Sequence, residues 1–153
     1  MGWLRDNVLR IWPVREVRQC GALPYRLDGR GRPELLLITA RRGMRWLPPK
    51  GWPSWWRSDP GAAAQEAYEE AGVRGTVEPR PCGSFLHRKH LTPQRLLICR
   101  IDLYLLKVDA MFDDWPERAE RQRRWFTFEA AAAAVDNPSL RKLIEALDGR
   151  RFG

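Results

Sequence analysis

Cysteine is scarce. Cys20, Cys82 and Cys99 are odd in number, lie far apart and form no Cys-x-x-Cys pair. That argues against a disulfide scaffold and for free thiols, buried rather than reactive, in a reducing compartment. Histidine is scarcer still: His87 and His90 lack a metal-like spacing and are assigned no catalytic part. Long apolar runs are missing too, since no stretch approaches the ~18 residues of a membrane span. The opening Met1-Gly2-Trp3-Leu4-Arg5-Asp6 has no apolar core for secretion, and Asp6 stands where a myristoylation signal wants Ser or Thr. The expectation is a soluble cytoplasmic protein without membrane contact. Lysine is rare as well, at 4 against 23 arginines. With 27 cationic and 19 acidic residues the chain carries a net charge of +8. Arginine is the better fork for phosphate oxygens. An Arg-rich solvated surface and a phosphate-crowded partner, nucleic acid or small polyphosphate, both fit this balance.

What is present suffices for a core. The 153 residues are 44% hydrophobic and 30% charged, which excludes intrinsic disorder and suits one domain over residues 1–153. Residues 1–14 are poorly patterned and expected to form an N-terminal arm. Val14 to Leu27 reads as extended, interrupted by Gly21 and Pro24. The Asp28-Gly29-Arg30-Gly31 turn then leads into an apolar strand from Glu34 to Arg42, making a hairpin with a loop longer than two residues. Val73 to His87 and Gln94 to Val108 read as two further strands. In the second, Ile101, Leu103 and Leu105 alternate with Arg100, Asp102 and Tyr104, as in a sheet with one buried face. Residues 109–120 read as an acidic loop, Arg121 to Phe128 as a strand, and Glu129 to Val135 as an alanine-rich helix. Asn137-Pro138 opens a last helix with Leu140, Leu143, Ile144 and Leu147 at helical spacing. The class is α+β, or a three-layer α/β/α sandwich.

The clearest helix follows Asp59, which can cap it; Pro60 suits its first position and Gly72 its left-handed stop. On a helical wheel Ala64, Ala67, Tyr68 and Ala71 gather on the expected core face. Glu66, Glu69 and Glu70 fall within an arc of about 100° on the opposite side. Carboxylates four apart repel, and the last turn of a helix is electrostatically hostile to them. Two readings stand: a solvated acidic face, or a divalent cation that cancels the repulsion, for which hard carboxylate oxygens suit Mg²⁺ or Mn²⁺.

The segment from Gly51 to Val73, with Gly51, Glu66, Glu69, Glu70, Gly72 and Val73 in register, closely resembles the Nudix box, G-x5-E-x7-R-E-U-x-E-E-x-G-U, where U is bulky and aliphatic. Leu47-Pro48-Pro49-Lys50-Gly51 resembles the family's loop into the box. Trp125-Phe126-Thr127-Phe128-Glu129-Ala130 resembles its late strand-to-helix junction, so the likeness covers about residues 15–147. Three positions depart from the pattern: Arg57 replaces its first glutamate, Gln65 its arginine, and Ala67 a bulky aliphatic residue. In the family that glutamate and arginine orient the metal-binding carboxylates, so altered positioning and weakened turnover are expected here.

The resemblance implies a Nudix-type α/β/α sandwich with a mixed central sheet, and metal-dependent hydrolysis of a diphosphate by attack of water on phosphorus. It implies that Glu66, Glu69 and Glu70 hold Mg²⁺ or Mn²⁺, with the carbonyl of Gly51 adding an oxygen. The base is Glu66, or a later-loop carboxylate, Glu117 or Glu120. Lys50, Arg41, Arg42 and Arg88 are the candidate phosphate ligands. The Arg121, Arg123 and Arg124 cluster either lines the site or faces solvent. Trp52, Trp55 and Trp56 either stack a base or pack their loop. The entry loop and basic balance resemble the bacterial diphosphoinositol polyphosphate and diadenosine polyphosphate phosphohydrolase branch, whose substrates are anionic small-molecule diphosphates. Removal of pyrophosphate from RNA 5′ ends ranks lower, and a polyphosphate-binding module without turnover is the non-enzymatic alternative. Many relatives dimerise, which makes a homodimer an expectation.

Overall fold

A computed structural model of the chain describes residues 15–150 and Phe152; the N-terminal arm expected over residues 1–14 lies outside them. The element order is β1 (Arg15–Leu27), β2 (Pro33–Thr39), β3 (Trp46–Leu47), β4 (Lys50–Gly51), α1 (Asp59–Ala71), β5 (Val73–Val77), β6 (Gly83–Thr92), β7 (Arg95–Met111), a 3₁₀ turn (Arg118–Glu120), β8 (Arg123–Thr127), α2 (Phe128–Ala134) and α3 (Pro138–Leu147). One sheet runs β3-β2-β1-β7-β5, with β4 on β1, β6 on β7 and β8 on β2. β1 and β7 pair in parallel and the other neighbours antiparallel, so the sheet is mixed.

Helices cover both faces. Ala62, Ala63, Ala67 and Ala71 of α1 pack on Cys20, Ala22, Leu36, Ile38, Tyr104 and Leu106. On the other side Ala131, Leu140, Leu143 and Ile144 of α2 and α3 pack on Leu23, Leu35, Leu37, Ile101, Leu103 and Leu105. This is the α/β/α sandwich, and α1 approaches the sheet closely because its facing side chains are methyl groups. Among the described residues no helix is long and apolar enough to cross a membrane.

Several expectations from the sequence are corrected. β1 runs unbroken through Gly21 and Pro24. The Ala22 N–H points away from β7 to Pro49 O, at 3.0 Å. By the period of two Pro24 presents its nitrogen on that same edge, between the β4 and β2 pairings, where no donor is needed. β7 buries both faces, because Ile101, Leu103 and Leu105 enter one core while Tyr104 and Leu106 enter the other. The expected strand Val73 to His87 is two strands separated at residues 78–82, and β7 extends through Met111 into the expected acidic loop. β2 stops at Thr39, before Arg41 and Arg42. Helix α1 is capped by Ser58, whose hydroxyl accepts from Gly61 N, rather than by Asp59, whose carboxylate is taken by Arg18 at 2.7 Å. Gly72 ends α1 at φ 67°, as expected.

Candidate active site

The glutamates are not on the outer side of α1. Glu70 is buried among the alanines of the core face, 7% exposed, and Glu66 and Glu69 are half-buried on the same flank. The wheel erred because it ranked residues by polarity, and Glu70 has buried partners. Its Oε2 accepts from Lys50 N at 3.1 Å, and its Oε1 accepts from Arg121 Nη2 at 3.2 Å. Glu69 Oε1 accepts from Gln65 Nε2 at 2.9 Å. Gln65, at the family's arginine position, therefore still orients a box carboxylate, while Arg57 faces out over Trp56. Glu66 lies against the backbone of Gly51, and its carboxylate fills the space a Cβ there would need.

The hostile end of the helix is neutralised from outside. Arg123 Nη1 donates to Ala71 O at 2.9 Å and to Gly72 O at 3.3 Å, and its guanidinium stacks 3.9 Å from the Trp115 ring centroid. Trp115 Nε1 donates to Glu70 O at 3.1 Å, and Glu117 N to Glu69 O at 3.0 Å. The loop over 112–120 is thereby docked on the end of α1, bringing Glu117 to the site. Arg121, only 8% exposed in its side chain, joins Glu70, Glu117 at 3.2 Å and Thr39 O at 3.0 Å. Nothing in the sequence distinguishes Arg121 from Arg123 and Arg124; its role appears only when residues 39, 70 and 117 converge. Arg124 lies over Trp46 and Phe126, away from the carboxylates.

Burial, then the charges of Glu70, Glu69 and Glu117, raises the Glu66 carboxyl to about 8. Burial raises Glu70 to about 7 against the pull of Arg121 and the Lys50 N–H. Both stand above the ordinary 4.5, so between about pH 4.5 and 8 the folded chain binds more protons than the unfolded one and loses stability as pH rises. Metal-free protein is expected to melt roughly 4–8 °C lower at pH 8.5 than at pH 5.5. That follows from about 2 kcal/mol, reduced for the partial exposure of Glu66. Added Mg²⁺ should restore most of the loss, as differential scanning fluorimetry would show.

Among the described residues no three His, Cys, Asp or Glu side chains converge as a finished metal cage. The donor set nevertheless fits a hard divalent cation. It offers only oxygens, its buried carboxylates repel one another, and the Gly51 backbone stands bare beside Glu66.

Two adjoining hollows of about 620 and 570 Å³ form a cleft on the Glu70 side. Lys50, Arg45 and Arg88 line both hollows, and Arg41, Arg42 and Arg121 the second. Burial lowers the Lys50 ammonium, opposed by the Glu70 charge. His87, given no part from its spacing, lies in this cleft with its imidazole lowered by burial and then by Lys50. Arg41 bridges Glu117 at 2.9 Å and Glu120 at 3.1 Å, and Glu120 is otherwise directed outward. Trp52 is not in the cleft; it lines a separate groove at Glu66 and Glu69. Cys20 and Cys99 are buried, Cys82 is half-buried, and burial pushes Cys20 and Cys82 up to about 11, as expected of unreactive thiols.

No protein-family model matches the chain. Similarity to known proteins is nonetheless clear. The chain is 33% identical over 141 residues to "Nudix hydrolase 21, chloroplastic" of Arabidopsis thaliana, covering 90% of this chain and 68% of that protein. It is 36% identical over 101 residues to diphosphoinositol polyphosphate phosphohydrolase 2 of Rattus norvegicus, covering 63% of this chain and about half, 51%, of that protein. In fold it resembles the C. elegans Ap4A hydrolase in a binary complex, with a TM-score of 0.64 at 22% identity over 87% of this chain and 96% of that one.

Proposed function

The chain belongs to the Nudix hydrolases, and from that premise we propose that it hydrolyses a phosphoanhydride bond in an anionic small molecule, a dinucleoside polyphosphate or a diphosphoinositol polyphosphate. The observation that carries this reading is the arginine- and lysine-lined cleft that opens onto Glu70. A cleft holding several cations and few anions suits a chain of phosphates.

Glu66, Glu69, Glu70 and the Gly51 carbonyl would hold Mg²⁺ or Mn²⁺. When bound, such an ion neutralises phosphate oxygens and favours attack by water. Lys50, Arg41, Arg42 and Arg88 draw the phosphates into the cleft, and Trp52 borders the other flank. Glu66, in its ionised form, accepts the proton of the attacking water. Glu117 is the second candidate base, because it is 16% exposed and shares Arg121 with Glu70, whereas Glu120, 51% exposed, meets Arg41 at the rim.

Gly51→Ala isolates the carboxylate geometry. The added methyl meets the tip of a flexible side chain, so Glu66 moves and the fold survives. Turnover is expected to fall roughly 10²-fold with little change in melting temperature. Wild-type turnover in that variant would remove Glu66 from the reaction.

The test of the function is phosphate or pyrophosphate release with Mg²⁺ across dinucleoside polyphosphates, diphosphoinositol polyphosphates and triphosphorylated RNA. Release from either small-molecule class supports the proposal. Release from RNA alone reassigns the enzyme to RNA 5′ ends, and binding without release makes it a polyphosphate-binding module.

A further inference from the structure

The loop between β4 and α1 places Trp52, Trp55 and Trp56 within five residues, and none packs inward. They are 54%, 92% and 62% exposed. Trp55 and Trp56 meet edge to face, with ring centroids 5.5 Å apart and planes at 80°. Large apolar side chains held together in water mark a binding surface. Beneath them lies a groove of about 320 Å³ whose opposite wall is the Gln65, Glu66 and Glu69 flank of α1. Ser54 lines the same groove, and its Oγ is buried without a hydrogen-bond partner. A buried hydroxyl left in that state is costly unless an incoming group satisfies it.

We infer that this groove is a nucleobase subsite, in which a planar, uncharged ring stacks on one face of the edge-to-face Trp55–Trp56 pair and hydrogen-bonds Ser54 Oγ. The inference rests on the proposed hydrolase function and narrows its substrate class. The groove and the cationic cleft flank the glutamates on opposite sides: Glu66 and Glu69 line the first, Glu70 the second. A nucleoside linked through phosphates spans that arrangement, with its base on the indoles and its phosphates passing the carboxylates toward Lys50. A fully phosphorylated inositol ring has no π face for the tryptophans. The groove's size, at the low end for ligand pockets, suits a single ring system.

Binding and turnover test this separately. Indole N–H signals of the ¹⁵N-labelled protein are followed during titration with adenosine and, as a control, inositol. With Mg²⁺, the ratio of kcat/KM for a dinucleoside tetraphosphate to that for inorganic tripolyphosphate is measured in wild type, in Trp55→Ala/Trp56→Ala and in Ser54→Ala. Saturable shifts of the Trp55 and Trp56 signals with adenosine alone are expected. The ratio should fall roughly tenfold or more in the double variant and less in Ser54→Ala. Indole signals indifferent to adenosine, or an unchanged ratio, would overturn the subsite. So would a dimer that the double substitution splits without altering the ratio, since the patch would then serve self-association. If wild type cleaves neither phosphate substrate, nor a diphosphoinositol polyphosphate, yet its indoles bind adenosine, the hydrolase reading fails and the subsite stands. If it cleaves both and its indoles stay silent, the reverse holds.

Discussion

Glu70→Gln is expected to lower Mg²⁺-dependent hydrolysis about 10³-fold or more while leaving the fold intact. The amide keeps the shape of the carboxylate, and its oxygen can still accept from Lys50 N, the 3.1 Å bond of the native site. What it loses is the charge a divalent ion needs, and such an ion supplies several kcal/mol of transition-state stabilisation. Stability should move the other way. Burial holds the Glu70 carboxyl at about 7, so at pH 8 the native side chain is charged where charge is disfavoured. Arg121 keeps Glu117 and Thr39 O as partners in the variant, although the amide nitrogen then faces its Nη2, donor against donor, which offsets part of the gain. Metal-free Glu70→Gln should therefore melt close to or slightly above the wild-type temperature at pH 8. Wild-type turnover in this variant would show that Glu70 is no part of the metal site.

Arg121→Met attacks the same cluster from the other side, with an effect on stability rather than on chemistry alone. Its removal leaves Glu70, with 9% of its side chain exposed, and Glu117, with 16%, without the guanidinium that joins them. Removing one partner of a buried pair costs about 3–5 kcal/mol, because the remaining charge stays buried without its counter-ion. The loss is expected at pH 8 and should shrink toward pH 5.5. Glu70, already raised and then deprived of Arg121, takes up a proton there and ceases to be a buried charge. Urea denaturation at the two pH values measures this directly. A loss that does not change with pH would mean that Arg121 acts through packing and its bond to Thr39 O.

Spacing along one helix is a covalent property, and it carried the box. Gly51, Glu66, Glu69, Glu70 and Gly72 could be placed relative to one another from their numbers, and a left-handed Gly72 ends α1 where the pattern ends it. The hairpin, the β8-to-α2 junction and the Asn137-capped last helix are likewise local events, set by turn residues and by side chains that reach no farther than one turn. Local patterning fails where a side chain's partner is distant in the chain. Polarity assigned Glu70 to solvent, yet it is buried because Lys50, 20 residues away, and Arg121, 51 residues away, reach its two oxygens. β7 reads with one buried face because Arg100 and Asp102 alternate with Ile101 and Leu103. Yet Tyr104 and Leu106, on the same side as those polar residues, are enclosed by α1, while α2 and α3 cover the other side.

The same division holds for the tryptophans and arginines. Their number and their nearness to the box are written in the sequence. Only the folded chain holds the Trp55 and Trp56 indoles out in water, buries Arg121 between two glutamates and spends Arg123 on the end of α1. The family, the helix and the order of its carboxylates were legible before any fold was known, because they depend on residue type and on a spacing of 3.6 per turn. Folding selects which carboxylate is buried, which arginine neutralises it and which cations share a cleft. Charge and burial act through space, between residues that the chain keeps far apart until the sheet closes.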